Sequence, residues 1–393
     1  MRVTFRRSMA QFIAVAATLS CSGDGASGSG CTKDADCPSD QACLFEVGSC
    51  SARGECLSLD SLGALCGLVV TYCGCDGQTV GGLCGPGYAY GPTLGQSAPC
   101  GPPPIARGTL TTLAEQTQSN PECIATDGTN VYFAETSLGI VMQVSVEGGA
   151  LVTLAANQSQ PIGIAVAGPN VFWTTEASGT ADGTVVTAPV GGGTPTTLAS
   201  GQGAPYGIAV GDANVYWTNL AGNHAVMKVP IAGGTPVVLA NATSPWAVAA
   251  YGQQVYWTDG DNVMSATSSG GSATTLASGQ AFPFDLAVDA TNLYWTNARG
   301  AGAVLKMKKA GGTPITLVAQ SGTARLAVDA SNVYFTTPGA SSNDGAVVSV
   351  PLDGGTTTTL ATGQSTPEGI AVDANSVYWV DTYLGAVMKL HPK

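Results

Sequence analysis

Histidine is almost missing from this chain, with only His224 and His391 among 393 residues. A Ser-His-Asp triad, a cysteine–histidine pair or a multi-histidine metal centre has next to nothing to be built from. Charge is scarce too, at 10% of residues, and it leans acidic: 14 Lys and Arg against 26 Asp and Glu, a formal net charge of -12. That balance repels a phosphate backbone, so nucleic acid is not an expected partner. Long apolar runs are missing, and the longest, from Met9 to Leu19, is too short to span a bilayer. Cysteine is absent after Cys123.

What is abundant is glycine, 53 residues, and an apolar fraction of 44% carried mostly by Ala and Val. Small and β-branched residues cut by frequent turn residues favour short strands over helices, so the chain is expected to be all-β.

The N-terminus has the layout of an export signal: Arg2, Arg6 and Arg7, the Met9 to Leu19 run, then Cys21. Thr18-Leu19-Ser20-Cys21 resembles a bacterial lipobox, with Thr18 where that class usually has Leu. The resemblance implies cleavage before Cys21, acylation of its thiol and a membrane anchor through the lipid. Ser22 after the cysteine implies the outer membrane or cell surface. Simple secretion after Ala16 or Ala17 is the alternative. Residues 1–21 are thus a signal peptide ending at Cys21, and the Gly/Ser tract 22–30 is a flexible tether.

Ten cysteines crowd into residues 31–100: Cys31, Cys37, Cys43, Cys50, Cys56, Cys66, Cys73, Cys75, Cys84 and Cys100. In an exported chain, an even set in so short a segment predicts disulfides substituting for a core too small to hold the fold. Spacing does not reveal the pairing. Zinc is disfavoured, because the segment has no histidine and no C-x-x-C pair. The run from Cys73 to Cys84, CGCDGQTVGGLC, resembles the centre of a Kazal-type domain, although Val80 and Gly82 replace its usual Tyr and Asn. The resemblance implies a serine protease inhibitor whose specificity residue is Leu68; a bare spacer is the other reading.

After the linker 101–107, one pattern recurs to the end of the chain: P-x-G-I-A-V-D-x-x-N-V-Y-W-T, a loop, G-x-V-x-x-V, a Gly-Gly turn and T-x-x-x-L-A. It starts at Pro121, Pro161, Pro205, Pro245, Pro283, Thr323 and Pro367. A period of about 40 residues with four strand signals marks the blades of a β-propeller. The seventh unit ends at its third strand, while Gly108 to Glu115 matches an outer strand and precedes the first unit. The expected fold over 108–393 is therefore a seven-bladed β-propeller closed by a split blade, preceded by the small disulfide-rich module.

Trp173, Trp217, Trp257, Trp295 and Trp379 share one position of the repeat, with Phe133 and Phe335 in the other two units. They are expected to wedge between neighbouring sheets. Tyr256-Trp257-Thr258-Asp259 and its relatives, such as Tyr216-Trp217-Thr218-Asn219, resemble the YWTD and NHL class of six- and seven-bladed propellers. That class is mostly adhesive or receptor-like, but lyases and lactonases share its architecture, so fold does not settle function.

Repeating Asp127, Asp289, Asp329 and Asp373 are expected to be turn acceptors; Lys228, Lys306 and Lys389 recur at one strand position, so the cluster of Lys306, Lys308 and Lys309 with nearby Arg299 is expected to be a solvated strand edge. Cys123 replaces a repeat glycine and is expected to be a buried, inert thiol. The pattern is least repetitive just after its first proline, where the ring carries Glu122, Ile162, Tyr206, Trp246, Phe284, Ala324 and Glu368, with Asp285 and Arg325 one position on. These positions are expected at the axial mouth, apolar on one side and charged on the other. The candidate ligand-binding residues are Tyr206, Trp246, Phe284, Asp285, Arg325, Glu122 and Glu368, unless the aromatics merely plug the axis. No catalytic residue, metal ligand or obligatory cofactor is assigned, though Glu122 and Glu368 on adjacent blades would suit calcium. The leading expectation is a cell-envelope lipoprotein whose propeller binds a protein, glycan or small molecule without catalysis. Protease inhibition and a cation-dependent hydrolase or lyase stand as alternatives, and the oligomeric state is not encoded.

Overall fold

A computed structural model describes residues 41–44, 55–58, 72–73, 79–80, 108–115, 120–176, 181–211, 213–339 and 343–393. The chain divides into two units, Met1–Pro102 and Pro103–Lys393. In the first, Gln41–Leu44 pairs antiparallel with Glu55–Ser58, and Tyr72–Cys73 with Thr79–Val80. The signal peptide, the acylation of Cys21, the disulfides and the side chains of the Kazal-like run lie outside the described residues. No helix among the described residues is long and apolar enough to cross a membrane.

The second unit is a seven-bladed propeller. Seven four-stranded antiparallel sheets follow one another, six of them built in sequence order from inner to outer strand. The last sheet takes its inner three strands, Pro367–Val372, Val377–Asp381 and Ala386–His391, from the C-terminus and its outer strand, Thr109–Glu115, from the N-terminal side. Leu390 pairs with Leu110 and Ala386 with Glu115, so the ring closes by the split blade expected from sequence.

The core lies between the sheets. Successive strand residues face opposite sides of a sheet, so the repeated Tyr-Trp pair sends one ring to each neighbour. Trp173 of blade two packs in one cluster with Tyr132 of blade one, Trp217 with Phe172, Trp257 with Tyr216 and Trp295 with Tyr256. Phe335 meets Tyr294, Trp379 meets Tyr334, and Phe133 meets Tyr378 across the junction of the last blade with the first. The five repeat tryptophans are fully buried, and truncating one to alanine removes about 3–5 kcal/mol.

A hydroxyl ties six of the seven blades to the next. Thr174 Oγ1 accepts from Gly163 N–H in its own blade and donates to the Tyr206 carbonyl of the following blade, at 3.0 and 2.8 Å. Thr218 joins Gly207 to Trp246, Thr296 joins Asp285 to Ala324, and Thr336 joins Arg325 to Glu368 in the same way. Blades one and seven have Ala134 and Val380 there. In both, a threonine two residues later makes the link instead: Thr136 to the Pro161 carbonyl and Thr382 to the Pro121 carbonyl.

The repeat aspartates are turn acceptors, as expected. Asp127 Oδ1 accepts from Thr129 and Asn130 N–H while Oδ2 accepts from the Tyr132 hydroxyl, and Asp289, Asp329 and Asp373 repeat the arrangement. Burial alone would raise these carboxyls, but the N–H and hydroxyl donors outweigh it and hold them below the usual range. The lysine expectation needs correction. Lys308 and Arg299 are exposed, but Lys306, like its counterparts Lys228 and Lys389, is not: their stems are largely covered and each Nζ donates to a carbonyl of the next blade, on Ser268, Leu352 and Val146. A long stem that lies along the sheet while its ammonium reaches a turn explains the difference.

A glutamine three residues before the repeat's first proline adds a tie that sequence reading missed. Gln158, Gln202, Gln280 and Gln364 accept from the indole N–H of Trp173, Trp217, Trp295 and Trp379. Ala242 occupies that place in blade four, and the Trp257 indole N–H is buried without an acceptor. Ala242→Gln is therefore expected to stabilise the propeller by about 1 kcal/mol, a rise in Tm of roughly 2 °C by calorimetry; an unchanged or lowered Tm counts against it.

Candidate functional site

Six of the seven inner strands begin with an irregularity. The register slips between the proline and the residue three positions on in blades two, three, four, five and seven, and between Pro121 and Cys123 in blade one. A bulge re-aims the residues inside it, and these are the positions singled out at the mouth. Where the second bulge residue is glycine, the blades close up: a Cβ at Gly163, Gly207 or Gly369 would run into the carbonyl oxygen of Tyr206, Trp246 or Glu122. At Cys123, Ala247, Asp285 and Arg325 a side chain stands there instead.

The structure brings most of the expected residues together. Tyr206 and Trp246 meet edge-on with ring centroids 5.2 Å apart, and Trp246 lies 5.9 Å from Phe284. Phe282, not anticipated from sequence, completes the arc, 5.5 Å from Trp246 and 6.1 Å from Phe284, with the Arg299 guanidinium 4.3 Å from its centroid. Phe282 has a left-handed backbone (φ 58), as do Gln160 and Ala204 at the same repeat position. Only its ring distinguishes it, so a loop residue before the proline was the available signal. Ile162, by contrast, is buried.

Arg325 crosses the axis. It rises from blade six, its Nη2 donates to the Tyr206 hydroxyl of blade three at 2.7 Å, and its guanidinium lies 4.6 Å from the Phe284 centroid and 5.6 Å from that of Tyr206. Three blades is the greatest separation a seven-membered ring allows. Arg325 is only 9% exposed, and its Nε–H has no acceptor. The Trp246 indole N–H is likewise buried and unpartnered. Beneath lies a cavity of about 140 Å³ lined by Cys123, Ile124, Ile164, Ile208, Val248 and Ile370 along with Tyr206, Asp285 and Arg325.

The carboxyls stand around this cation without pairing to it. Asp285 accepts from its neighbour Leu286 N–H and from Leu326 N–H of blade six, at 3.0 and 2.9 Å. Burial pushes the Asp285, Glu122 and Glu368 carboxyls above the usual range, against the pull of Arg325; Glu176 adds to the rise at Glu122, and Glu122 and Asp285 add to it at Glu368. The Tyr206 hydroxyl is pushed up to about 12, chiefly by burial. Among the described residues no three His, Cys, Asp or Glu stand together as a metal-binding set. His224 lies on a loop and His391 ends the last strand, its Nδ1 3.0 Å from Ser376 Oγ; neither lines the cavity.

No protein-family model and no curated protein matches the chain. Among solved structures it is similar to a streptogramin B lyase at 16% identity, over 73% of this chain and 98% of that one, with a TM-score of 0.61. It is also similar, at 16% identity over 72% of this chain and 99% of the other (TM-score 0.60), to a catalytically inactive variant of virginiamycin B lyase from Staphylococcus aureus solved with quinupristin. The computationally designed Ika8 protein matches at 16% identity over 72% and 98%, with a TM-score of 0.52. What is shared is the propeller.

Cys123 has no disulfide partner and lines the cavity half-buried, its thiol pushed up to about 11 by burial first, with Arg325 opposing. Alkylation of Cys123 by iodoacetamide near neutral pH is expected to run on the order of a hundred-fold slower than that of a free cysteine and to climb with pH without a plateau below about 10. Rapid labelling at neutral pH, mapped by peptide mass, would contradict this.

Proposed function

We propose that the propeller is a binding module whose axial mouth receives an amphipathic group, carried by a partner protein, a glycan or a free small molecule. One observation carries the reading. The five tryptophans of the repeat are buried to hold the blades together, whereas Trp246 lies off that position, half-exposed beside Tyr206, Phe282 and Phe284 around a buried arginine. Blade packing does not call for this arc, and a concave, mostly apolar mouth with a few convergent polar groups is what ligand sites require.

Catalysis at the same mouth is the competing reading, and the shared architecture with lyases favours it. One of those lyases is inactivated when a histidine is replaced by alanine, whereas neither histidine of this chain lines the axial cavity. The carboxyls there, raised by burial, are the acid–base groups such an activity would use. Turnover of a bound compound would decide for it. The chain is further proposed to be exported and held at the envelope by acylated Cys21, with the cysteine-rich segment as a spacer or a protease-binding module.

Trp246 fluorescence reports on the mouth, since the other five tryptophans are sealed between blades. A panel of amphipathic small molecules, glycans and peptides is expected to contain members that shift its emission. Calorimetry should then show binding lost in Tyr206→Ala, Trp246→Ala and Phe284→Ala, each losing roughly 1–2 kcal/mol of stability against about 3–5 for Trp257→Ala. A collapse of each variant as severe as that of Trp257→Ala would make the arc a structural plug. For the anchor, Cys21→Ala is expected to move the protein from the membrane to the soluble fraction; unchanged membrane association by fractionation would refute acylation as the tether.

A further inference from the structure

We infer that the mouth takes an organic monoanion, a carboxylate on a flat apolar body, with the carboxylate on Arg325 and the body among Tyr206, Trp246 and Phe284. This rests on the mouth being a ligand site and names the chemistry it selects. A guanidinium offers five N–H donors. Among the described residues Arg325 makes one side-chain hydrogen bond, to the Tyr206 hydroxyl, and its Nε–H is buried with no acceptor. Ion pairs within 4.0 Å among the described residues join Lys306 to Asp353, Lys389 to Glu147 and Lys393 to Asp329; none involves Arg325. Asp285, at the same repeat position in the preceding blade, has its oxygens engaged by the backbone N–H groups of Leu286 and Leu326. The Trp246 indole N–H is a second buried donor without an acceptor. A buried cation short of acceptors is destabilising until one arrives, and a carboxylate is the planar acceptor that matches a guanidinium fork.

Other ligand classes fit less well. A cation would compete for ring faces that Arg325 already covers on Phe284 and Tyr206. A neutral apolar molecule would leave both donors unmatched. The field of Glu122, Asp285 and Glu368 opposes any anion in proportion to its charge, so a dianion is repelled more than a monoanion that pairs with Arg325. Those carboxyls face the guanidinium along with the Tyr206 hydroxyl and the Cys123 thiol, with Glu176 beside Glu122. Because burial raises the carboxyls, acidification neutralises them early, so the mouth repels an anion less as pH falls.

The test titrates the full-length protein by calorimetry and by tryptophan fluorescence with 4-phenylbutyrate, 4-phenylbutanamide and 4-phenylbutylamine. The carboxylate is expected to bind about ten-fold or more tighter than the amide, with the amine weakest. Lowering the pH from neutral toward the raised range of the mouth's carboxyls, with the ligand still ionised, should strengthen the carboxylate and leave the amide unchanged. Arg325→Gln should erase the preference and Arg325→Lys keep part of it. If Arg325→Gln fails to fold, Glu368→Gln serves, removing a repelling charge and strengthening the carboxylate several-fold without affecting the amide. Equal binding of carboxylate and amide, or a tighter amine, overturns the anion inference and leaves the mouth as a ligand site. If none of the three binds, both readings fall.

Discussion

Everything in the propeller depends on a pair of adjacent aromatic residues that face opposite ways. Residues next to each other on a strand point to opposite sides of the sheet, so a Tyr-Trp dipeptide on the second strand gives each blade one ring for the blade before it and one for the blade after. Seven such pairs, from Tyr132 with Phe133 to Tyr378 with Trp379, fill seven wedges. A ring of identical wedges has to close on itself, and the chain closes it by placing Thr109–Glu115 beside Ala386–His391. The junction then carries the same Phe133–Tyr378 contact as any other.

The polar ties follow from the aromatic geometry. Once the rings fix the distance between sheets, the residue after the tryptophan lies within reach of the next blade's backbone, and a hydroxyl there accepts from its own blade and donates to the following one. The behaviour of blades one and seven makes the physical requirement plain. Where Ala134 and Val380 remove the hydroxyl, Thr136 and Thr382, two residues further along, donate to the carbonyls of Pro161 and Pro121. The link between blades is kept, but it is made to the neighbouring carbonyl, from the position that has a hydroxyl to give.

How much of this was legible in the sequence differs by level. The blade count and the split closure were readable because period and aromatic position are one-dimensional signals, and the motif of Gly108 to Glu115 recurs as 193–200. The turn role of Asp127 and its counterparts was readable because an acceptor repeated in register with a turn needs no tertiary information. Lys306 and its counterparts were misread as solvated, because nothing local says that the next blade's turn lies under the ammonium. The bulged positions were legible as the least repetitive part of the repeat. Their assembly was not: Arg325 and Tyr206 are 119 residues apart, and only ring closure sets them face to face.

The mouth is built from departures that the ring tolerates because they fall at the start of the inner strand, inside a bulge in every blade but the sixth. A glycine at the second bulge position lets neighbouring backbones touch, as at Gly163, Gly207 and Gly369. Wherever that glycine is replaced, the side chain has the axis to go to, and Cys123, Asp285 and Arg325 all line the cavity there. The first bulge position works differently, since its carbonyl receives the hydroxyl of the preceding blade at Tyr206, Trp246, Ala324 and Glu368. Its backbone is thereby fixed while its side chain remains free to vary. A scaffold whose stability resides between the blades can change the chemistry at its axis without loosening the wedges. That separation is why the same repeat supplies rings on one side of the mouth and carboxyls on the other.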